Sequence, residues 1–234
     1  LQFMTPKNVP ENWQEAYARM AQECQSPALR RFYEAGVPGL DKPLAETPLV
    51  SLDIETTGLD PSKDDVISIG LVDFNLELIR LSSARYWLAK PHGPLTSESV
   101  TIHEITHSEI QDAPRLSSFL DEVLDAIAGK IVVVHCAAIE RPFLFEAALE
   151  HYGEPLMFPV LDTMGIEASI THKPWWQRFG RQPSLRLDAC RQRYNLPRYR
   201  AHQALMDAVS CAELFQAQAS HHLNKEHPTS YYDC

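Results

Sequence analysis

The chain has 234 residues, 44% of them apolar, and a net charge of -10. That is enough apolar length for a sizeable core, and it argues against a protein that coats nucleic acid through a uniformly basic surface. Its five cysteines, Cys24, Cys136, Cys190, Cys211 and Cys234, are odd in number and lack C-x-x-C spacing, so neither a disulfide framework nor a zinc knuckle is indicated.

No apolar run approaches the roughly 18 residues that cross a bilayer, and LQFMTPKNVPENW has no signal-peptide pattern, so a cytoplasmic setting without membrane contact is expected. Trp13, Tyr17, Met20, Ala21 and Cys24 recur at three- and four-residue intervals and predict an amphipathic helix over 10–24. A second helix is expected over 27–35. Gly36, Pro38, Gly39 and Pro43 then mark a connector. Residues 1–47 thus read as a helical extension, which either packs its apolar stripe on the main domain or offers it to a protein partner.

Within Leu49–Gly58, Val50, Leu52 and Ile54 alternate with Ser51, Asp53 and Glu55, the period of a strand with one buried face. Asp53 and Glu55 therefore point to the same side, about 7 Å apart along the strand. Either a hard divalent cation relieves their repulsion or this face is simply wet. The following Thr56, Thr57 and Gly58 can bring backbone amides close to an anionic ligand.

GLDPSKDD is turn-rich, and 66–74 forms the next strand, so an antiparallel hairpin is expected. A third strand is predicted over 79–88 and a helix over 114–128, ended by Gly129. IVVVH (131–135) reads as a strand, followed by a helix from about Glu140 to Tyr152, a strand over 158–162 and a further helix. Strand alternating with helix gives an α/β arrangement with a parallel component. Ser184 can cap a helix carrying Leu185, Leu187, Cys190 and Tyr194, the last long helix covers 201–219, and 220–234 reads as a polar tail.

Two further acids fall where apolar residues are expected. Glu140 shares a helix face with Phe143, Leu144 and Ala147; it either faces the core or occupies a first turn that favours acids and tolerates the proline two residues on. Asp207 lies at the border of a buried face beside Ala204, Cys211 and Leu214, where a carboxylate needs a cation or donors. His202, just upstream, is the nearest imidazole, a residue type suited to general-base work, or else a capping or surface histidine. Between Lys173 and Arg200 there are eight basic residues against one acid, interleaved with Trp175, Trp176, Phe179, Tyr194 and Tyr199. That composition either grips phosphates and stacks on unpaired bases, or is a solvated face over core aromatics.

Taken together, DIETTG at 53–58, HCAAIERPFL at 135–144 and HQALMDA at 202–208 resemble the three motifs of the DEDDh exonuclease family. That family includes the proofreading epsilon subunit of bacterial DNA polymerase III, ribonuclease T and oligoribonuclease. IHEIT at 102–106, LDT at 161–163 and SLRLDAC at 184–190 add to the likeness, which runs over about 170 residues. The resemblance implies a ribonuclease H-like fold, a mixed five-stranded sheet flanked by helices, spanning an exonuclease domain at 48–219.

It also implies a metal-dependent 3′ to 5′ exonuclease acting on single-stranded DNA or RNA 3′ ends, with DNA favoured. Nucleoside 5′-monophosphates would leave by a two-metal mechanism using Mg²⁺ or Mn²⁺. Asp53, Glu55, Glu140 and Asp207 match the metal-binding acids, and His202 matches the base that deprotonates water. Glu98 and His103 fall where family members contact the terminal nucleotide, and Thr56, Thr57 and Gly58 join them as substrate-binding candidates. The chain departs from the family at the second motif, where H-N-A-x-F-D becomes HCAAIE. The added methylene moves the acid about 1.5 Å outward. Either the helix sits further back and Glu140 reaches the same metal, or the second ion is held badly. Retained activity is expected, because the other four functional positions are intact; a weakly active nucleic-acid-binding subunit and an exoribonuclease of short RNAs are the alternatives.

Overall fold

The computed structural model describes residues 9–39, 42–93, 107–171, 183–199 and 203–222. Five strands form one mixed sheet in the order β3-β2-β1-β4-β5. They are β1 (Leu49–Thr56), β2 (Val66–Phe74), β3 (Arg85–Leu88), β4 (Ile131–Val134) and β5 (Val160–Asp162). β1 pairs antiparallel with β2 and β2 with β3, while β1, β4 and β5 run parallel. The expected mixed sheet flanked by helices is what forms.

The period-two alternation of β1 sorts its residues between two cores. Val50, Leu52 and Ile54 enter a large apolar cluster with α1 (Trp13–Glu23), α2 (Pro27–Glu34), α4 (Leu120–Ile127) and α5 (Ala137–Tyr152). Leu49 faces the opposite side, with Val72, Ile131, Val133 and residues of α6 (Thr163–Thr171) and α8 (Ala204–His221). Asp53 and Glu55 continue the Leu49 side of the strand, so they emerge toward α8.

The helices start and stop for local reasons. The Asn12 side chain accepts the amides of Gln14 and Glu15 at the head of α1, and Pro27 opens α2 behind Ser26. Gly153, at φ 72°, closes α5 in the left-handed conformation. α3 (His107–Asp112) and α7 (Leu187–Arg193) complete the described helices. Among the described residues, no helix is long and apolar enough to cross a membrane.

Several expected boundaries move. The strand expected over 79–88 forms only over Arg85–Leu88, because 81–83 make a 3-10 turn and Ile79 contributes an isolated bridge to Phe74. The helix expected over 114–128 is a 3-10 turn at 116–118 followed by α4. The helix expected from about Glu140 begins three residues earlier, at Ala137. Glu140 is therefore its fourth residue, and Pro142 lies inside the helix rather than in its first turn. The carbonyl of Ala138, which a proline cannot bond, belongs to an exposed residue and can be hydrated. α7 starts at Leu187 rather than at Ser184, whose hydroxyl accepts the Arg186 amide at 3.4 Å.

Candidate active site

The site lies where β1 runs out toward the turn at 57–65. Asp53 and Glu55 project from the strand, and Asp207, on the first turn of α8, meets them. One carboxylate oxygen from each lies within 4.8 Å of the others. Two oxygens on one hard divalent cation, each about 2.1–2.5 Å from it, are at most some 4–5 Å apart, so the three acids have the spacing and the chemistry to share an ion.

A glycine makes this meeting geometrically possible. Gly70 on β2 is the ladder partner of Asp53 and therefore faces the same side. A Cβ at Gly70 would overlap the backbone of Ala204 and Leu205. Only glycine lets the head of α8 lie directly on the sheet and carry Asp207 to the strand acids.

Glu140 approaches from the other side of the same strand end. β4 runs parallel to β1, with Ser51 opposite Val133, and α5 follows two residues after β4 ends. Glu140 is 3% exposed, and its Oε2 has no protein hydrogen-bond partner. Its oxygens fall outside the three-carboxylate group. Burial pushes the Asp53 carboxyl well above the usual range, and Glu140, Glu55 and Asp207 push it further. Burial raises Glu140 as well; a backbone hydrogen bond opposes the shift and Asp162 adds to it. Clustered, partly buried carboxyls of this kind are stabilised by positive charge, and their hard oxygen donors suit a hard divalent cation.

The start of α5 is held by a fifth acid. Asp162, at the end of β5, accepts the amides of Cys136 at 3.1 Å, Ala137 at 3.0 Å and Met164 at 2.9 Å. A carboxylate at this helix head satisfies orphan donors and complements the helix dipole. Cys136 has φ 123°, a conformation strained for any residue with a side chain. His135 is fixed by its Nε2 donating to the Leu185 carbonyl at 2.9 Å and by Nδ1 lying 2.7 Å from the Thr163 hydroxyl.

A family model described as "Exonuclease" matches residues 50–215, most of the chain and all three acid-bearing segments. The chain belongs to this exonuclease family. Among curated relatives, the DNA polymerase III PolC-type of Thermotoga maritima is 28% identical over 75% of this chain and 12% of its own length. The DNA polymerase III subunit epsilon of Treponema pallidum is 28% identical over 74% of this chain and 76% of its own length. This exonuclease therefore spans only about an eighth of the PolC-type relative it matches.

Two solved structures share the fold. Exonuclease X in complex with 5′-overhanging duplex DNA has a TM-score of 0.58 at 19% identity, covering 78% of this chain and 98% of that one. Escherichia coli exonuclease I in complex with a dT13 oligonucleotide has a TM-score of 0.61 at 13% identity, covering 75% of this chain and 41% of that one. The exonuclease is thus a DEDDh-type, DnaQ-like member with a ribonuclease H-like fold.

The remaining sequence candidates separate in three ways. His202, Glu98 and His103 lie outside the described residues. Thr56 and Thr57 shape the loop of this exonuclease: the Thr56 hydroxyl donates to the Gly58 carbonyl at 2.6 Å, and the Thr57 hydroxyl accepts the Asp65 amide at 2.9 Å. A Cβ at Gly58 would collide with the Asp64 carboxylate, so that glycine serves the turn. The basic stretch is partly used up internally. Arg191 is buried and bonds Glu213, Ser210 and Pro197, and Arg193 bonds the buried Glu167. Of its described cations, only Arg186 and Arg198 remain for an outside partner, while residues 173–182 and Arg200 lie outside the described residues.

Gly70 and Asp162 were not assigned roles from the sequence. An isolated glycine inside a β-branched strand was the available signal for Gly70. For Asp162 it was an acid immediately before a helix.

Proposed function

We propose that this exonuclease hydrolyses phosphodiester bonds stepwise from the 3′ end of single-stranded DNA, releasing nucleoside 5′-monophosphates. The convergence of Asp53, Glu55 and Asp207 within 4.8 Å carries the proposal. These acids, with Glu140, would hold two divalent ions, Mg²⁺ or Mn²⁺. When bound, such ions neutralise charge at the phosphorus centre and lower the pKa of water.

The chain's own groups divide the remaining work. His202 takes the proton of the attacking water; the water oxygen bonds phosphorus as the bond to the 3′ oxygen of the preceding nucleotide breaks, and that oxygen takes a proton from solvent to leave as a hydroxyl. Glu98, His103 and the loop at Thr56, Thr57 and Gly58 hold the terminal nucleotide so that attack is in line. DNA is favoured because the relatives are DNA polymerase components and exonuclease I was solved with a DNA oligonucleotide.

Matched DNA and RNA oligonucleotides labelled at the 5′ end test the reading. Mg²⁺-dependent ladders shortening from the 3′ end, faster on DNA and stopped by a 3′ block, are expected. Shortening from the 5′ end, or turnover unaffected by chelation, would contradict it. The position of Glu140 outside the three-acid group favours one second reading, a nucleic-acid-binding subunit of low turnover. Tight oligonucleotide binding with no shortening in either Mg²⁺ or Mn²⁺ would establish that reading instead.

A further inference from the structure

Glu140 depends on the placement of α5, because its Oε2 makes no protein hydrogen bond that could hold the side chain on its own. Two helices outside the family-matched segment 50–215 hold the head of that helix and the segment just past its end. At the head, the Arg141 guanidinium, 5% exposed, lies 5.9 Å from the ring centroid of Trp13, itself 2% exposed. Tyr17 backs Trp13 edge-on at 6.2 Å and meets Tyr33 at 5.1 Å and Phe32 at 5.6 Å. At the tail, the Tyr33 hydroxyl donates to the Pro155 carbonyl at 3.3 Å and accepts the Met157 amide at 3.0 Å. The Glu154 carboxylate accepts the amides of Gln25 and Ser26 at 2.8–2.9 Å, just ahead of α2. Trp13, Tyr17, Phe32 and Tyr33 also share one apolar cluster with Phe143, Leu144 and Phe145 of α5.

We propose that α1 and α2 are a built-in brace for α5, and that Trp13 is a positioning residue that sets where the Glu140 carboxylate stands. A desolvated arginine over a tryptophan face is a directional contact as well as a packed one, so it fixes the rotation of the first turns of α5 as well as their depth. The apolar stripe of the extension is thereby spent on its own domain. This proposal rests on Glu140 belonging to the metal-binding site.

The test compares full-length Trp13→Leu, which keeps an apolar filling, with Trp13→Phe, which keeps an aromatic face. Hydrogen exchange is read by mass spectrometry, and kcat and KM are measured on a 3′-end DNA oligonucleotide with Mn²⁺, well below each melting temperature. In Trp13→Leu, amides 139–145 exchange about tenfold faster while β1 and α8 are unchanged. Its kcat falls about ten- to a hundredfold with KM within about twofold, the scale of a small displacement of a reacting group. Trp13→Phe recovers most of both effects.

Unchanged exchange at 139–145, or a lowered melting temperature with unchanged kcat, overturns the brace. Wild-type protein without turnover overturns the nuclease reading instead, and the exchange measurement still tests the brace. Should Trp13→Leu not fold, Tyr33→Phe removes only the two hydroxyl bonds at the tail. Faster exchange at 152–157 with a smaller kcat loss supports the brace, and no change in either overturns it.

Discussion

Asp53 and Glu55 sit on a strand paired to β2 along its length, whereas Glu140 sits near the head of a helix that starts at a strained Cys136, is pinned by Asp162 and is gripped by two further helices. The first pair gets its direction from the sheet itself: period two aims both acids at one face, and Gly70 lets α8 deliver Asp207 to them. The fourth acid gets its position from contacts far along the chain. A strand ligand is therefore robust to distant change, while a helix ligand is only as well placed as the supports of its helix.

The largest effect is expected on the strand side. Asp53→Asn should lower turnover roughly a thousandfold or more, because it removes a carboxylate proposed to hold metal for the whole site. Without divalent cations the same variant should melt higher than the wild type, since it relieves repulsion among buried carboxyls. Differential scanning calorimetry in chelator checks this, and a lower melting temperature for the variant would break the account of the site as a frustrated acid cluster.

Gly70→Ala probes how α8 meets the sheet. The added methyl must displace the backbone of Ala204 and Leu205, which should cost about 1–3 kcal/mol in denaturant unfolding and move Asp207 away from Asp53. A variant with wild-type stability and turnover would show that the helix has room to shift without harm.

The smallest effect concerns His135. Burial lowers its pKa below the ordinary 6.5, and nearby Arg193 adds to this against the opposing hydrogen bond to Leu185. The unfolded chain takes up the proton near pH 6.5 and the folded chain only at lower pH, so stability is lost as pH falls through and below 6.5. His135→Gln should flatten melting temperature against pH in that window; parallel curves for the two proteins would contradict it.

How much of this was legible in the sequence follows the same division. The alternation around Asp53 and Glu55 predicted a strand and its acidic face, and the short turn-rich connection after it predicted the hairpin with 66–74, because both are local properties. The three motifs likewise pointed to the family that residues 50–215 match. The start of α5 was misplaced because Pro142 reads as a first-turn residue, and nothing local shows that the exposed Ala138 carbonyl can do without its bond. Arg191 and Arg193 looked like strand-binding cations because their partners, Glu213 and Glu167, lie 22 and 26 residues away in sequence. The role of Trp13 was equally hidden, since its partner is Arg141.

The central claim is that Glu140 is the fourth acid of a site whose other three are already assembled. Glu140→Gln keeps the shape and removes the charge. Single-turnover hydrolysis of a 3′-end DNA oligonucleotide in saturating Mn²⁺ should slow about a hundredfold in this variant, while calorimetry still detects Mn²⁺ binding to the Asp53, Glu55 and Asp207 group. Equal single-turnover rates for the variant and the wild type would show that Glu140 takes no part in the reaction.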